Sequence, residues 1–317
     1  MPVIEFEGVN KSYGENEVLK DFSIKVEEGE FLVLLGPSGC GKTTILRMIN
    51  GLLSPDSGNI IIKEKSIKDW NLIELRRQIG YVIQQIGLLP HLNIEDNITY
   101  VLNLIKTPKN RQKERARELI EIVGMDKSFL HRYPKELSGG QQQRVGVARA
   151  LAADHQIILM DEPFGAVDEI TRRNLQEEII SIHKLLKKTI IFVTHDIEEA
   201  IKLGSRIVLL NEGKIERNEK KKDFVLSEGR SEYANHFFQS KDFMAYLNIL
   251  KIKDIILRED APRDTLQNKL ASIYDDASVL EGIQKCIELG EENIPVIDKG
   301  ENIVGVFSLK KLYSNIV

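Results

Sequence analysis

The hydrophobic pattern of the first part of the chain alternates between two periods. Short apolar runs are separated by longer segments in which apolar residues recur at helical spacing. The predicted strands are residues 24–26, 31–35, 157–160 and 189–193. The predicted helices are residues 42–50 and 170–186. Continuous apolar, β-branched runs are typical of strands buried on both faces, so the pattern predicts an α/β fold around a largely parallel sheet.

A second and shorter pattern begins near Ile252. It predicts a helix at residues 277–289, strands at 294–297 and 303–307, a turn at 298–302 and a closing helix at 308–313. An α+β unit of this size is too small to be very stable alone. We therefore expect it to pack against a copy of itself or against the main domain.

The chain length of 317 residues predicts about two domains. Charged residues crowd residues 214–223, which we interpret as a solvated helix end or a connector. We predict a main domain at residues 1–236, a connector at residues 237–251 and a small C-terminal domain at residues 252–317.

Composition and charge narrow the classes of function. The chain is 42% hydrophobic and 29% charged, with a net charge of -4, so it is globular and has no basic field that would attract nucleic acid. Its two cysteines, Cys40 and Cys286, fit a reducing cytoplasm, and no signal peptide is visible at the start. No apolar run approaches the roughly 18–20 residues of a membrane span, so any spans must come from another chain.

A glycine-rich segment at residues 36–44 has the complete pattern of a phosphate-binding P-loop, between a predicted strand and a predicted helix. Glycines let the backbone N–H groups approach phosphate oxygens, and the start of the helix favours anions. Lys42 can reach the β and γ phosphates of ATP, and the Thr43 hydroxyl can bind Mg²⁺. Cys40 is interpreted as a small filler. The predicted ATP-binding residues of this loop are Gly36, Pro37, Ser38, Gly39, Cys40, Gly41, Lys42, Thr43 and Thr44.

A second candidate site lies at the end of the predicted strand 157–160, where Asp161 and Glu162 follow four apolar residues. The carboxyl ends of strands are where α/β sheets bind ligands. Asp161 is predicted to hold Mg²⁺ through a water molecule, because Mg²⁺ keeps much of its hydration shell. Glu162 is predicted to face an attacking water as the general base.

Residues 137–144 read Leu-Ser-Gly-Gly-Gln-Gln-Gln-Arg. Together with the two elements above, this motif resembles the signature of ATP-binding-cassette (ABC) ATPases over about residues 1–220. The resemblance implies a P-loop nucleotide-binding domain that works as a head-to-tail homodimer. One copy would cap the γ-phosphate of ATP held by the other copy. The residues that the resemblance assigns to this contact in trans are Ser138, Gly139, Gly140, Gln141 and Asp168.

The resemblance implies roles for three further residues. Tyr13, placed before the first strands, resembles the aromatic residue that stacks on adenine. Gln84 would contact Mg²⁺ and the lytic water, although the adjacent Gln85 is chemically identical. His195 would contact the γ-phosphate and support the water.

Two features favour transport over other uses of this ATPase. Residues 86–92 are similar to the surface that receives a membrane subunit in importers, and the chain has one cassette without a long heptad insertion. Residues 162–178 are similar to ATPase subunits of bacterial importers for glycine betaine, carnitine and choline. That resemblance implies a transmembrane permease, an extracytoplasmic substrate-binding protein and a position on the cytoplasmic face of the membrane. The alternatives are an importer ATPase for another small solute and a soluble regulator that uses ATP as a switch.

The C-terminal pattern resembles a cystathionine-β-synthase (CBS) domain, on residues 276–279, 294–298 and 303–308. Such domains work in pairs, so two arrangements stay open: residues 241–270 are a degenerate copy, or two chains pair theirs. Lys311 stands where adenosine-binding members have an aspartate, which removes the acceptor for ribose. Two interpretations stay open: a gate that senses ionic strength or a regulatory ligand, and a dimerisation module.

Overall fold

The computed structural model describes residues 1–83, 87–165, 167–226, 247, 250–256, 272–310 and 312. Their contacts divide the chain into two compact units. The N-terminal unit consists of Met1–His195 and Leu203–Arg217, and the C-terminal unit of Asp196–Lys202 and Asn218–Val317. Most of the predicted connector lies outside the described residues, so the domain boundaries drawn from the sequence stay predictions.

The elements up to Arg217 alternate between strands and helices. The strands are β1 (Pro2–Tyr13), β2 (Asn16–Glu27), β3 (Phe31–Leu35), β4 (Ser57–Ile62), β5 (Lys65–Ser66), β6 (Ile79–Val82), β7 (Ile157–Asp161), β8 (Thr189–Thr194), β9 (Arg206–Asn211) and β10 (Lys214–Lys220). The helices are α1 (Lys42–Ile49), α2 (Leu72–Arg76), α3 (Ile94–Ile98), α4 (Tyr100–Leu104), α5 (Lys109–Ile122), α6 (Gly139–Leu151), α7 (Glu169–Leu186) and α8 (Ile197–Leu203).

The central sheet has the order β10-β9-β3-β8-β7-β6, and the strands from β9 to β6 run parallel. The strands β3, β7 and β8 are buried along their whole length, which explains why their sequences are continuous apolar runs. Because parallel strands end at the same edge of a sheet, the residues after β3, β6, β7 and β8 share one edge. In register, Leu35 pairs with Thr194, and Asp161 pairs with Val193.

A second sheet, with the order β2-β1-β4-β5, was not expected from the sequence as a separate layer. Its first strand places Tyr13 at the end of β1, so the prediction that Tyr13 precedes the first strands is wrong. The alternation along β1 buries Ile4, Phe6 and Val9, but Gly8 adopts a φ of 55° and the register shifts there. This irregularity breaks the period-two signal by which the strand would be recognised.

The charged run at residues 214–223 is also corrected. It forms the edge strand β10 and the first residues of a helix, α9 (Lys221–Leu226), where a solvated helix end or connector was expected. Charged side chains are tolerated at a sheet edge, where they discourage further strand pairing. Composition alone therefore misled the secondary-structure prediction here.

The helices between β6 and β7 form a separate layer of the N-terminal unit. Helix α6 packs against α3 and α5, and it buries Val145, Ala148 and Leu151. Among the described residues, no helix is long and apolar enough to cross a bilayer.

The C-terminal unit contains a three-stranded sheet with one helix packed on it. Its further elements are α10 (Ile252–Ile255), β11 (Ile273–Tyr274), α11 (Val279–Leu289), β12 (Asn293–Ile297) and β13 (Ile303–Ser308). Strand β12 pairs in parallel with β11 and in antiparallel with β13. The helix lies close to the sheet, because a Cβ on Gly282 would stand 2.9 Å from the Phe307 ring. Lys311 and most of residues 241–270 lie outside the described residues.

Candidate nucleotide-binding site

The P-loop connects the buried strand β3 to helix α1, as the sequence predicts. Its last glycine, Gly41, has a φ of 105°, a conformation that favours glycine. A Cβ at this position would stand 2.8 Å from Leu19 Cδ2 and 2.9 Å from the Val18 carbonyl oxygen. The loop therefore bends tightly against β2 and turns directly into the helix.

Lys42 folds back over the loop that precedes it. Its Nζ donates hydrogen bonds of 2.8 Å to the carbonyl oxygens of Gly36 and Pro37, and its side chain is buried. The ammonium group is thus fixed at the centre of the loop, where it can neutralise phosphate charge. Cys40 lies 3.8 Å from the same Nζ, and burial raises the pKa of its thiol, so the sulfur stays protonated at neutral pH.

The exposed tip of the P-loop borders a cleft of about 470 Å³. The loop contributes Pro37, Ser38, Gly39 and Cys40, and residues 16–18 and 211–213 form the other walls. Tyr13, at the end of β1, has 48% of its surface exposed, and Lys11 Nζ lies 5.7 Å from its ring centroid. A half-exposed ring is available for stacking, as the adenine role requires. Thr44 is half-buried in the first turn of α1.

Thr43 and Asp161 meet although 118 positions separate them in the sequence. The Thr43 hydroxyl donates a 2.8 Å hydrogen bond to Asp161 Oδ1. Burial raises the pKa of the Asp161 carboxyl, and the neighbouring Glu162 raises it further, whereas the Thr43 hydroxyl lowers it. A hydroxyl and a buried carboxylate are the hard oxygen ligands that Mg²⁺ prefers, so these two residues fit the predicted magnesium ligands.

Tyr81 is a residue of this site that the sequence analysis missed. Its hydroxyl lies 3.5 Å from Asp161 Oδ2, and burial raises the pKa of Tyr81 to about 12. The phenol therefore stays protonated and faces the second oxygen of the carboxylate. A tyrosine at the second-to-last position of a short parallel strand carries a signal only once that strand is recognised, and β6 was not predicted.

Glu162 and His195 lie at the ends of the adjacent strands β7 and β8. His195 Nδ1 is 3.4 Å from Glu162 Oε2. Glu162 has a φ of 43°, and its backbone N–H donates to the Val193 carbonyl oxygen, which fixes its backbone against β8. Its side chain is mostly buried, whereas that of His195 is largely exposed. The pair can share a proton at this edge of the sheet.

The signature motif begins helix α6 with a capping box. Ser138 Oγ accepts a 3.3 Å hydrogen bond from the Gln141 backbone N–H, and Gln141 Oε1 accepts one of 3.0 Å from the Ser138 N–H. Ser138 and Gly139 are exposed, so the positive end of the helix dipole faces solvent.

Asp168 lies beside the signature motif because helix α7 starts against helix α6. A Cβ on Gly140 would stand 2.6 Å from Thr171 Cγ2, so only glycine allows this approach. Asp168 caps α7 by accepting a 3.0 Å hydrogen bond from the Thr171 backbone N–H, which lowers the pKa of its carboxyl. Asp168 is therefore an exposed anion at neutral pH.

The predicted residues thus form two groups. We define the P-loop group as residues 36–44 with Asp161, Glu162 and His195. We define the signature group as Ser138, Gly139, Gly140, Gln141 and Asp168. Two predicted residues belong to neither group: Tyr13, at the end of β1, and Gln84, which lies outside the described residues. The assignment of a catalytic or binding role to each residue stays a prediction.

A parallel sheet with a P-loop, a buried acidic residue at the end of another strand of the same sheet and a glycine-led signature helix defines an ABC-type ATPase cassette. The family model described as ABC transporter matches residues 19–165. The chain is similar to the glycine betaine/carnitine/choline transport ATP-binding protein OpuCA of Bacillus subtilis, with 43% identity over 99% of this chain and 80% of the relative. It is 39% identical to the carnitine transport ATP-binding protein OpuCA of Listeria monocytogenes, over 98% of this chain and 91% of the relative.

Among solved structures, the dimeric ATP-binding cassette MJ0796 bound to ADP and phosphate is similar, with a TM-score of 0.64 and 36% identity. The match covers 69% of this chain and 98% of that cassette. The chain therefore belongs to the ABC transporter family of ATP-binding proteins, and it is an ABC-type ATPase. Members of this family bind ATP.

Proposed function

We propose that the chain is the ATP-hydrolysing subunit of an importer for quaternary amine osmoprotectants such as glycine betaine, carnitine or choline. The observation that carries this proposal is the extent of the similarity to the two OpuCA proteins. It covers nearly the whole chain, including the C-terminal unit, and is not confined to the cassette.

The P-loop group supports the hydrolytic chemistry. Lys42 and the loop backbone would hold the β and γ phosphates, and Thr43 and Asp161 would hold Mg²⁺, which neutralises phosphate charge when bound. Glu162 would accept a proton from the attacking water, and His195 Nδ1, 3.4 Å from Glu162 Oε2, would orient the glutamate and the γ-phosphate. The rate enhancement would come mainly from charge neutralisation and positioning.

A second copy of the chain would complete each site. The signature group presents exposed backbone N–H groups and the Ser138 hydroxyl at a helix N-terminus, a place that binds anions. In the head-to-tail homodimer implied by the family, these groups contact the γ-phosphate held by the partner's P-loop. The dimeric form of the MJ0796 cassette supports this arrangement.

A membrane permease would dock on the segment that follows Gln84, on the cytoplasmic face of the membrane. The sequence predicts this segment at residues 86–92; we define the coupling segment as residues 87–93, its described part together with Asn93. Helix α4, which directly follows α3, exposes Tyr100 and Leu104 on one face, and Ile105 after it is also exposed. Apolar side chains grouped on a surface indicate a site of protein–protein contact.

The C-terminal unit would act as a CBS-like regulatory or pairing domain. Its order of helix α11 followed by strands β12 and β13 supports the resemblance, and the short strand β11 was not predicted. Deleting residues 252–317 separates the two interpretations. If the unit is a sensor, the deletion should abolish the salt dependence of transport. If it is a pairing module, the deletion should weaken the dimer and leave the salt dependence unchanged.

The proposal is tested by uptake into vesicles. The chain would be used to co-purify a membrane subunit and a substrate-binding protein, and the complex would be reconstituted. ATP-dependent uptake of radiolabelled glycine betaine, carnitine or choline supports the proposal, and Glu162→Gln serves as the inactive control. Co-purification with uptake of none of these amines points to another solute. ATP binding without any membrane partner points to a soluble regulator.

A further inference from the structure

The coupling segment is fixed from two sides by side chains that the proposed chemistry does not use. One is Asn97 of helix α3, which is completely buried. Its Oδ1 accepts a 2.8 Å hydrogen bond from the Leu89 N–H. Its Nδ2 donates to the carbonyl oxygens of Leu89, Leu92 and Asn93 at 3.1, 3.0 and 2.9 Å. One amide thus satisfies backbone groups along the second half of the segment.

The other side chain is Arg149, in the last turn of helix α6. Its Nη1 donates a 2.7 Å hydrogen bond to the Gly87 carbonyl oxygen, at the start of the segment. Burial lowers the pKa of Arg149, which means that the guanidinium gives up hydration and depends on acceptors such as this carbonyl.

These two contacts connect the segment to the signature motif. Ser138 caps the same helix that ends near Arg149, about 16 Å away at 1.5 Å per residue. Helices α3 and α6 also pack against each other. A displacement of the signature group by ATP would therefore reach the coupling segment through one rigid helix.

We infer that Arg149 is a positioning residue that makes the coupling segment move with the signature helix, with Asn97 as the anchor that keeps the segment in shape. The inference rests on the proposed function, because it describes how ATP bound at the signature group would act on the docking surface.

Hydrogen–deuterium exchange of the full-length chain tests the inference. In a Glu162→Gln background, Mg²⁺ and ATP are expected to slow amide exchange both in the P-loop and at residues 88–93. Arg149→Met is expected to keep the P-loop response and ATP affinity, and to reduce the response at residues 88–93 by about fivefold or more. An unchanged response at residues 88–93 would overturn the inference.

Arg144→Met is the matched control, because Arg144 lies on the same helix but bonds to the carbonyl oxygens of Val123 and Gly124 and pairs with Glu178. It should preserve the response at residues 88–93, and equal loss in both variants would mean general loosening of α6 and would refute the inference. Arg149→Leu, which also removes every donor, is used with the same readouts if Arg149→Met does not fold, and the same reduction is expected.

Asn97→Asp separates the two anchors. An aspartate accepts from Leu89 but cannot donate to the three carbonyl oxygens, so exchange at residues 88–93 should be faster with and without ATP. Exchange as slow as in the parent would contradict its role as anchor. Absence of any P-loop response in the Glu162→Gln parent would contradict the proposed function instead, so the two failures are distinguishable.

Discussion

The P-loop group and the signature group satisfy their polar atoms in opposite ways. In the P-loop group, side chains from distant parts of the chain bond to each other, as Thr43 does with Asp161. In the signature group, Ser138 and Asp168 cap their own helices and face solvent. In the proposed function, the first group holds phosphate and metal, whereas the second leaves its helix N-terminus open to a partner. This difference is what we expect if one chain carries two complementary half-sites.

The pKa values of one aspartate from each group show the same contrast. Asp161 is buried and has a raised pKa, because desolvation outweighs its hydrogen bonds. Asp168 is exposed and has a lowered pKa, because the Thr171 N–H stabilises its charge. The ATP-free chain therefore tolerates an unfavourable charge in the P-loop group, a cost that a bound cation would remove.

The largest effect is expected within the P-loop group. Glu162→Gln should lower ATP turnover by about 10²–10⁴ because the amide cannot accept a proton from water. ATP affinity should stay close to that of the parent, since the phosphate-holding residues are untouched. Phosphate release and equilibrium binding of a fluorescent ATP analogue would check both parts. Turnover equal to the parent would remove Glu162 from its assigned role.

A smaller effect is expected within the signature group. Ser138→Ala should lower turnover by on the order of 10², the usual consequence of removing one donor to a developing phosphate charge. It should cost only about 1 kcal/mol of stability through the lost helix cap.

Ser278→Ala is the matched control for that variant, since Ser278 and Glu281 form the same capping box on α11. A similar loss of stability with unchanged turnover is expected for it. If both variants lose turnover equally, the effect of Ser138 comes from folding and not from contact with ATP.

The smallest effect concerns stability and pH. Asp161 has a raised pKa in the folded chain, so its contribution to stability is present at low pH and is lost as pH rises through that pKa. Asp161→Asn should therefore stabilise the ATP-free chain at pH 8 by about 0.5–2 kcal/mol, and less at pH 4. Asp168→Asn should show the opposite pH trend, because the pKa of Asp168 is lowered. Chemical denaturation at pH 4 and pH 8 measures the change in the free energy of unfolding for both variants. If this change varies with pH in the same direction for both, the contrast between the two aspartates is refuted.

Much of the P-loop group could be predicted because its residues either lie close together in the sequence or stand at the ends of buried strands. Residues 31–35 and 157–160 have continuous apolar sequences that predict β3 and most of β7, and the P-loop and Asp161 follow them. By contrast, no local pattern predicts the bond between Thr43 and Asp161, since it depends on strand order.

The missed features share a physical reason. Tyr81 faces Asp161 only because β6 pairs with β7, and Arg149 reaches Gly87 across 62 positions. The edge strand β10 and the irregular strand β1 lack the periodicity on which sequence reasoning depends. Tertiary pairing decides these features, so the sequence alone identifies the residues of the site better than it identifies the residues that support them.

The most direct test of the two half-sites is the mass of Glu162→Gln in solution. Light scattering after size-exclusion chromatography would measure it with and without Mg²⁺ and ATP. The account predicts that ATP increases the dimer fraction of this variant and that adding Ser138→Arg, which places a bulky side chain in the signature group, prevents the increase. A mass that does not change at saturating ATP, with the P-loop shown to be occupied, would contradict it.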